Sequence, residues 1–121
     1  MKITVLGRIP SKKNNKSALV IRGRAIIITN GKHKKWENDA KRQVLPQVQG
    51  MPLPHVPTGR VEFHFYAPDK RRTDLSNKWE SVADMLVEAG ILEDDNTDIL
   101  FEILLKFCGV DRENPRAELL L

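Results

Sequence analysis

A chain of 121 residues with 40% hydrophobic and 30% charged side chains suits one globular domain and leaves no room for two. Its one cysteine, Cys108, excludes a disulfide scaffold and a Cys-rich zinc site, and no apolar run approaches the ~18 residues of a membrane span. The net charge of +4 conceals an asymmetry: residues 1–73 carry 16 Lys and Arg against 4 Asp and Glu, whereas residues 74–121 carry 4 against 12. A basic half points to a polyanion partner, and an acidic half in the same small domain repels it unless cations stand between them. The N-terminus enters a strand-like pattern without a signal-peptide core, so the cytoplasm is the expected compartment.

In chain order, residues 3–9 read as a strand, and Pro10 to Ser17 as a polar loop carrying Lys12, Lys13 and Lys16. Two β-branched runs, 18–22 and 24–29, flank Gly23 and predict a hairpin, followed by a turn at Asn30-Gly31. Trp36, Ala40, Val44 and Val48 step by four among Lys and Arg, which predicts a basic helix over 32–48, disturbed near Pro46. A proline-rich connector covers 49–58, and residues 60–67 alternate as a strand with Val61, Phe63 and Phe65 on one face. Residues 68–73 form a charged loop.

The most legible element follows. Leu75, Trp79, Val82, Leu86 and Ala89 make one apolar helical stripe, with Thr73 or Asp74 as cap and Gly90 as stop. Asp74, Asn77, Lys78, Glu80, Ser81, Asp84 and Glu88 occupy the polar arc. After the linker Ile91 to Asn96, residues 97–108 alternate as a long strand, 109–114 turn, and 116–121 form a last strand. Helices interrupt strands without regular alternation, so the expected fold is α+β, a mixed or antiparallel sheet covered by two main helices. Trp36 and Trp79 sit on apolar stripes and read as core; His33 and His55 read as surface, His64 as a sheet-face residue. The absence of a glycine-rich phosphate loop speaks against a nucleotide cofactor.

Two acidic groups bracket this helix: Asp74 at its start, and Glu93, Asp94 and Asp95 after its end, with Asp98 beginning the next strand. A helix of about 16 residues is about 24 Å long, so the groups meet only if residues 91–96 run back along it or a symmetry mate intervenes. Carboxylate oxygens are the hard ligands Mg²⁺ takes, usually one or two with water and phosphate completing the shell. Such an ion offsets the charge that protects a phosphodiester from attack. Lys70, Arg71 and Arg72 lie immediately before Asp74, where basic side chains can fix phosphates. The same residues also suit a solvated loop and an ordinary helix cap.

Arg71-Arg72-Thr73-Asp74-Leu75-Ser76-Asn77, then Asp84-Met85-Leu86, Ala89-Gly90 and Asp94-Asp95, resemble the RusA family of Holliday junction resolvases in order and spacing. The family pattern is a basic run, Asp-Leu-Asp-Asn, Asp-x-Leu, Ala-Gly and Asp-Asp. Pro10-Ser11 with Asn14-Asn15 is similar to its early Pro-Ser-Asn-Asn stretch, and the strong match covers about residues 68–98. The resemblance implies a small cytoplasmic homodimer of bacterial or phage origin. It would nick four-way DNA junctions symmetrically with Mg²⁺ (Mn²⁺ as the alternative ion), in recombination and repair.

Asp74 matches the family's first essential Asp, and Asp95, beside Asp94, matches the one after the helix. Two positions depart: the second Asp of the motif is Ser76 here, and the catalytic Lys is Glu80. Glu80 as a substitute metal ligand and Lys78 as a substitute cation are the expected compensation. Lys12, Lys13, Lys16, Lys34, Lys35, Lys70, Arg71, Arg72 and Asn77 are the expected DNA contacts. Paired nicks need two sites related by a dyad, with the strand at 97–108 and Leu119-Leu120-Leu121 as candidate dimer surfaces. The alternatives are a junction-binding dimer without catalysis, and a nuclease for flaps and other branched DNA.

Overall fold

The computed structural model describes residues 1–11, 16–29 and 31–121, and for residues 16–19, 21 and 26–29 the backbone alone. It is a small α+β domain. Among the described residues six strands and two α-helices follow in the order β1 (Lys2–Leu6), β2 (Lys16–Ile21), β3 (Arg24–Thr29), α1 (Gly31–Val44), β4 (Val61–Ala67), α2 (Leu75–Glu88), β5 (Ile103–Val110) and β6 (Arg116–Leu120). The main sheet runs β1-β6-β4-β5 and is mixed: β6 is antiparallel to both neighbours, and β4 and β5 are parallel. The hairpin β2-β3 stands as a separate pair. Its turn residues Arg22 and Gly23 both have positive φ, the conformation that matches strand twist across a two-residue loop.

The core follows the predicted alternation. Val61, Phe63, Phe65 and Ala67 point to one face of β4 and are buried, joined by Ile3, Val5, Ala117 and Leu119 from the flanking strands. Both helices cover that face. Trp79, Val82, Met85 and Leu86 of α2 meet Ala40 and Val44 of α1 there, and Phe63 packs edge-on against Trp79 with ring centres 5.7 Å apart. Helix α1 ends at Val44, and Pro46 sits in a 3-10 turn, Leu45–Val48, that carries Val48 into the core.

The two edges of the sheet differ. On β1, Gln43 of α1 and Gln47 of the 3-10 turn satisfy the exposed backbone: Thr4 N–H donates to Gln47 Oε1 at 2.8 Å and Leu6 N–H to Gln43 Oε1 at 2.7 Å. On β5 the outer side carries no such cover among the described residues. Its apolar side chains stay open to solvent, Phe107 at 52% and Ile103 and Leu104 at 37% each.

Several sequence expectations need correction. The strand expected at 97–108 forms only from Ile103 onward, as β5, and Thr97–Ile99 turn. Asn96 is responsible. Its side-chain oxygen accepts from Asp98 N–H at 3.0 Å and its carbonyl from Leu100 N–H at 2.9 Å, so polar turn chemistry overrides the alternation. Gly109, expected in a turn, lies inside β5 with φ +98°, where the pairing with β4 slips between Phe65 and Ala67. Strand β1 stops at Leu6 because Gly7, at φ +94°, turns the chain. His33 is buried, not on the surface, packed on Trp36 and beside Glu37. Leu119 is core, which removes it from any dimer surface. Asn30 lies outside the described residues.

A candidate nucleic-acid and metal site

Helix α2 positions both acidic groups. Asp74 is its N-cap: the backbone is extended (φ −95°, ψ 114°), and the carboxylate accepts from Ser76 N–H at 3.0 Å and from Ser76 Oγ–H at 2.7 Å. At the other end Gly90, at φ +76°, lets the chain wrap, and Ile91 and Leu92 both return their N–H groups to the Leu86 carbonyl. These two side chains are buried, and the acidic run beginning at Glu93 stays outside.

Around Asp74 three segments converge on a cleft of about 330 Å³. The chain leaving β1 supplies Arg8, the loop after β4 supplies Asp69, Arg71 and Arg72, and α2 supplies Asn77 and Lys78. Lys78 Nζ donates to the Ile9 carbonyl at 2.6 Å, and Ser81 Oγ to the Pro10 carbonyl at 2.8 Å. The polar arc of α2 is thus partly covered, and Ser81 and Asn77, expected on an open face, are buried.

Asp69 organises the loop. Its carboxylate accepts from Arg71 N–H at 3.0 Å and from the Arg8 guanidinium at 3.0 Å, with Arg71 Nε 3.7 Å away. The Arg71 N–H, then the Arg8 and Arg71 charges, hold its carboxyl below the usual range. Burial lowers the Lys78 ammonium, and the nearby Arg8 charge adds to the effect. The cleft therefore sets Arg8, Arg71, Arg72 and Lys78 against Asp69 and Asp74, an electropositive cradle around one capping carboxylate. Asn77 lines it at 8% exposure, and its buried Oδ1 has no hydrogen-bond partner among the described residues. An acceptor left this way costs about 1–3 kcal/mol.

The second acidic group forms a separate cavity of about 310 Å³, lined by Glu37, Asp84, Glu88, Asp94 and Asp95. Burial, then the hydrogen bond with Asp94 and the Asp84 charge, raises the Asp95 carboxyl above the usual range. Lys41 bridges Glu37 at 3.7 Å and Glu88 at 3.8 Å across the two helices.

Of the expected site residues, Asp74, Asn77, Lys78, Arg71 and Arg72 come together, and Lys70 lies on the adjoining groove. Asp94 and Asp95 gather with Asp84, and Asp74 is not among the charges acting on Asp95. Asp84 follows Asp74 by ten residues, about 15 Å along the axis. The segment after α2 thus lines one cavity with Asp84 and Glu88, and Asp74 lines the other. Glu80 is exposed and lines neither cavity. Lys34 is paired with Glu37 at 3.2 Å, and Lys35 is exposed on α1. Lys12 and Lys13 lie outside the described residues, as does the side chain of Lys16, the first residue of β2.

No protein-family model and no curated protein matches the chain.

Arg8 and Asp69 are absent from the sequence expectations. They meet across 61 residues of chain, which no local pattern announces; the turn at Gly7 and the Pro68-Asp69 pair were the available signals. Among the described residues no three His, Cys, Asp or Glu side chains converge as a metal-ligand group. Asp74 Oδ and Asn77 Oδ1 are nevertheless hard oxygen donors on one cleft, and cations flank them. That donor set suits an ion that keeps water and phosphate as its remaining ligands. Among the described residues no helix is long and apolar enough to cross a membrane.

Proposed function

We propose that this protein is a RusA-like, Mg²⁺-dependent endodeoxyribonuclease. It acts as a homodimer that resolves four-way DNA junctions by paired nicks, in recombination and repair, in the cytoplasm. The observation that carries the reading is the cleft in which Arg8, Arg71, Arg72 and Lys78 surround the Asp74 cap. Its motif-bearing residues stand in the order and spacing that resemble the family.

Arg71 and Arg72 clamp the phosphate flanking the scissile bond, and Arg8 and Lys78 stabilise charge building on it. Asp74 would hold Mg²⁺, with Asn77 beside it and Asp95 and Asp94 entering from a second copy. The ion, when bound, supplies charge neutralisation and an activated water. Ser76 orients the Asp74 carboxylate through its hydroxyl, so the position that lacks the second Asp keeps a role in placing the first. The second copy docks through the apolar start of the uncovered edge, where Phe101 is 64% exposed beside Ile103 and Leu104.

A synthetic four-way junction incubated with Mg²⁺ tests this. Wild type yields two symmetric nicks, whereas Asp74→Asn binds the junction and leaves it intact. Binding by wild type without any nick would establish instead a junction-binding dimer, a reading that the exposed position of Glu80 favours. Equal cutting of flaps would make it a general branched-DNA nuclease.

A further inference from the structure

A second hollow adjoins the Asp74 cleft across the basic loop. Its volume is about 560 Å³, within the range of small-molecule sites. Asp69, Arg71, Arg72 and Thr73 line both hollows, so the loop is a shared wall. On the far side the floor is apolar: Leu75 at the start of α2, and Phe107 and Val110 of β5.

Phe107 is out of place by ordinary packing rules. It pairs in register with Phe65 and faces the same side of the sheet as the core residues of β4. Yet it is 52% exposed, and Val110 is 40% exposed. The Phe65 ring, 6.3 Å away and tilted by 39°, supports Phe107 from the core side and leaves the hollow side open. Above this floor stand Lys70, Arg71 and Arg72. Among the described residues the rim carries one carboxylate, Asp69, which is already engaged by Arg8 and Arg71, so the rim is net cationic.

We infer that this hollow receives one unpaired nucleotide of branched DNA, its base on Phe107 and its phosphate on Arg71 and Arg72. The inference rests on the DNA-binding reading above. A flat apolar ring under a cationic rim matches a ligand that is half aromatic plane and half anion. A second copy fits poorly here, because a two-fold contact through the hollow sets the same cations against themselves. The shared wall gives the geometry a purpose: a phosphate on Arg71 and Arg72 is held beside Asp74 while its base is parked across the loop. A base inside a continuous duplex is already stacked on its neighbours and gains nothing from Phe107. The hollow therefore selects for strands that are open at a branch point.

The test is equilibrium binding with EDTA present, so that cutting plays no part. Two probes are used: a fully paired duplex, and the same duplex with one unpaired 2-aminopurine nucleotide. Wild type is expected to prefer the unpaired probe and to quench its fluorescence. Phe107→Ala should lose that preference by on the order of tenfold, the worth of one stacked base, with paired-duplex affinity unchanged. Phe107→Trp should retain both preference and quenching, and thermal melts check that each variant is folded. Three results overturn the inference: an unchanged preference in Phe107→Ala, full rescue by Phe107→Leu, or conversion of a dimer to monomer by Phe107→Ala in sedimentation. Wild type that binds neither probe defeats the DNA-binding reading itself. Binding to both probes without preference defeats only the nucleotide hollow.

Discussion

The Lys78 ammonium donates to the Ile9 carbonyl at 2.6 Å and so ties the polar arc of α2 to the chain leaving β1. One turn later Ser81 makes the same kind of bond to Pro10. Together they anchor the chain at Ile9 and Pro10. Ser81→Ala should cost about 1 kcal/mol and Lys78→Met about 1–2 kcal/mol in urea unfolding, the usual worth of one buried hydrogen bond. Lys78→Met should also weaken DNA binding, because it removes one of the cleft's four cations.

On the proposed reading Asp74 has two duties, capping and metal binding, that substitution separates. Asn keeps an oxygen acceptor for the Ser76 N–H, so Asp74→Asn should unfold within about 0.5 kcal/mol of wild type. Asp74→Ala loses the cap and should cost about 1 kcal/mol. Both variants should lose junction cleavage. A cleaving Asp74→Asn would remove Asp74 from the chemistry.

If each site draws Asp74 from one chain and Asp95 from its partner, two inactive proteins complement each other. In a mixed dimer of Asp74→Asn and Asp95→Asn one site is intact and the other is doubly altered. Mixing and re-equilibrating the two should restore single nicks without restoring paired ones. Failure to restore any nick, with mixed dimers verified by mass spectrometry, would place both carboxylates in one chain's site or take one of them out of it.

Asp69 and Asp95 pull stability in opposite directions with pH. The Asp69 carboxyl titrates below its ordinary 3.8, so its contribution is present above that value and is lost as pH falls through the folded-state value. Asp69→Asn should lower the melting temperature at pH 7, and the deficit should shrink progressively as pH falls below 3.8. The Asp95 carboxyl titrates above 3.8, so its proton-bound form is favoured, and the cost of its charge builds as pH rises from 3.8 and is complete above the folded-state value. Asp95→Asn should melt higher than wild type at pH 7, with the gain gone near pH 3. Mg²⁺ should raise the wild-type melting temperature more than that of Asp95→Asn.

Phosphate contacts should dominate binding. Substituting Arg8, Arg71 or Arg72 by Ala should weaken junction and duplex alike. Each should flatten the slope of log affinity against log salt by about 1. Glu80→Gln should change neither cleavage nor slope, because Glu80 lines neither cavity.

The elements that strong periodicity marks were legible in the sequence: the α2 stripe with its Asp74 cap and Gly90 stop, the alternation of β4, and the hairpin around Gly23. The stretch from Thr97 to Phe101 was not. Its alternation of Ile99 and Phe101 mimics a strand, and only the turn closed by Asn96 shows that Leu100 is the residue driven inward. The site was half legible for a related reason. Arg71, Arg72, Asp74, Asn77 and Lys78 are neighbours in sequence, and a helix start gathers them. Arg8 and Asp69 follow strands far apart in sequence, β1 and β4, and their meeting depends on sheet order, which no local pattern encodes.

Strand β6 lies between β1 and β4, the two strands it joins. Until the residues of β6 have been made, each of those two strands therefore lacks the neighbour that closes one of its edges. A nascent chain stalled short of that point displays two open strand edges at once, each a template for pairing with another chain. Chaperone demand should thus fall once β6 has docked between them.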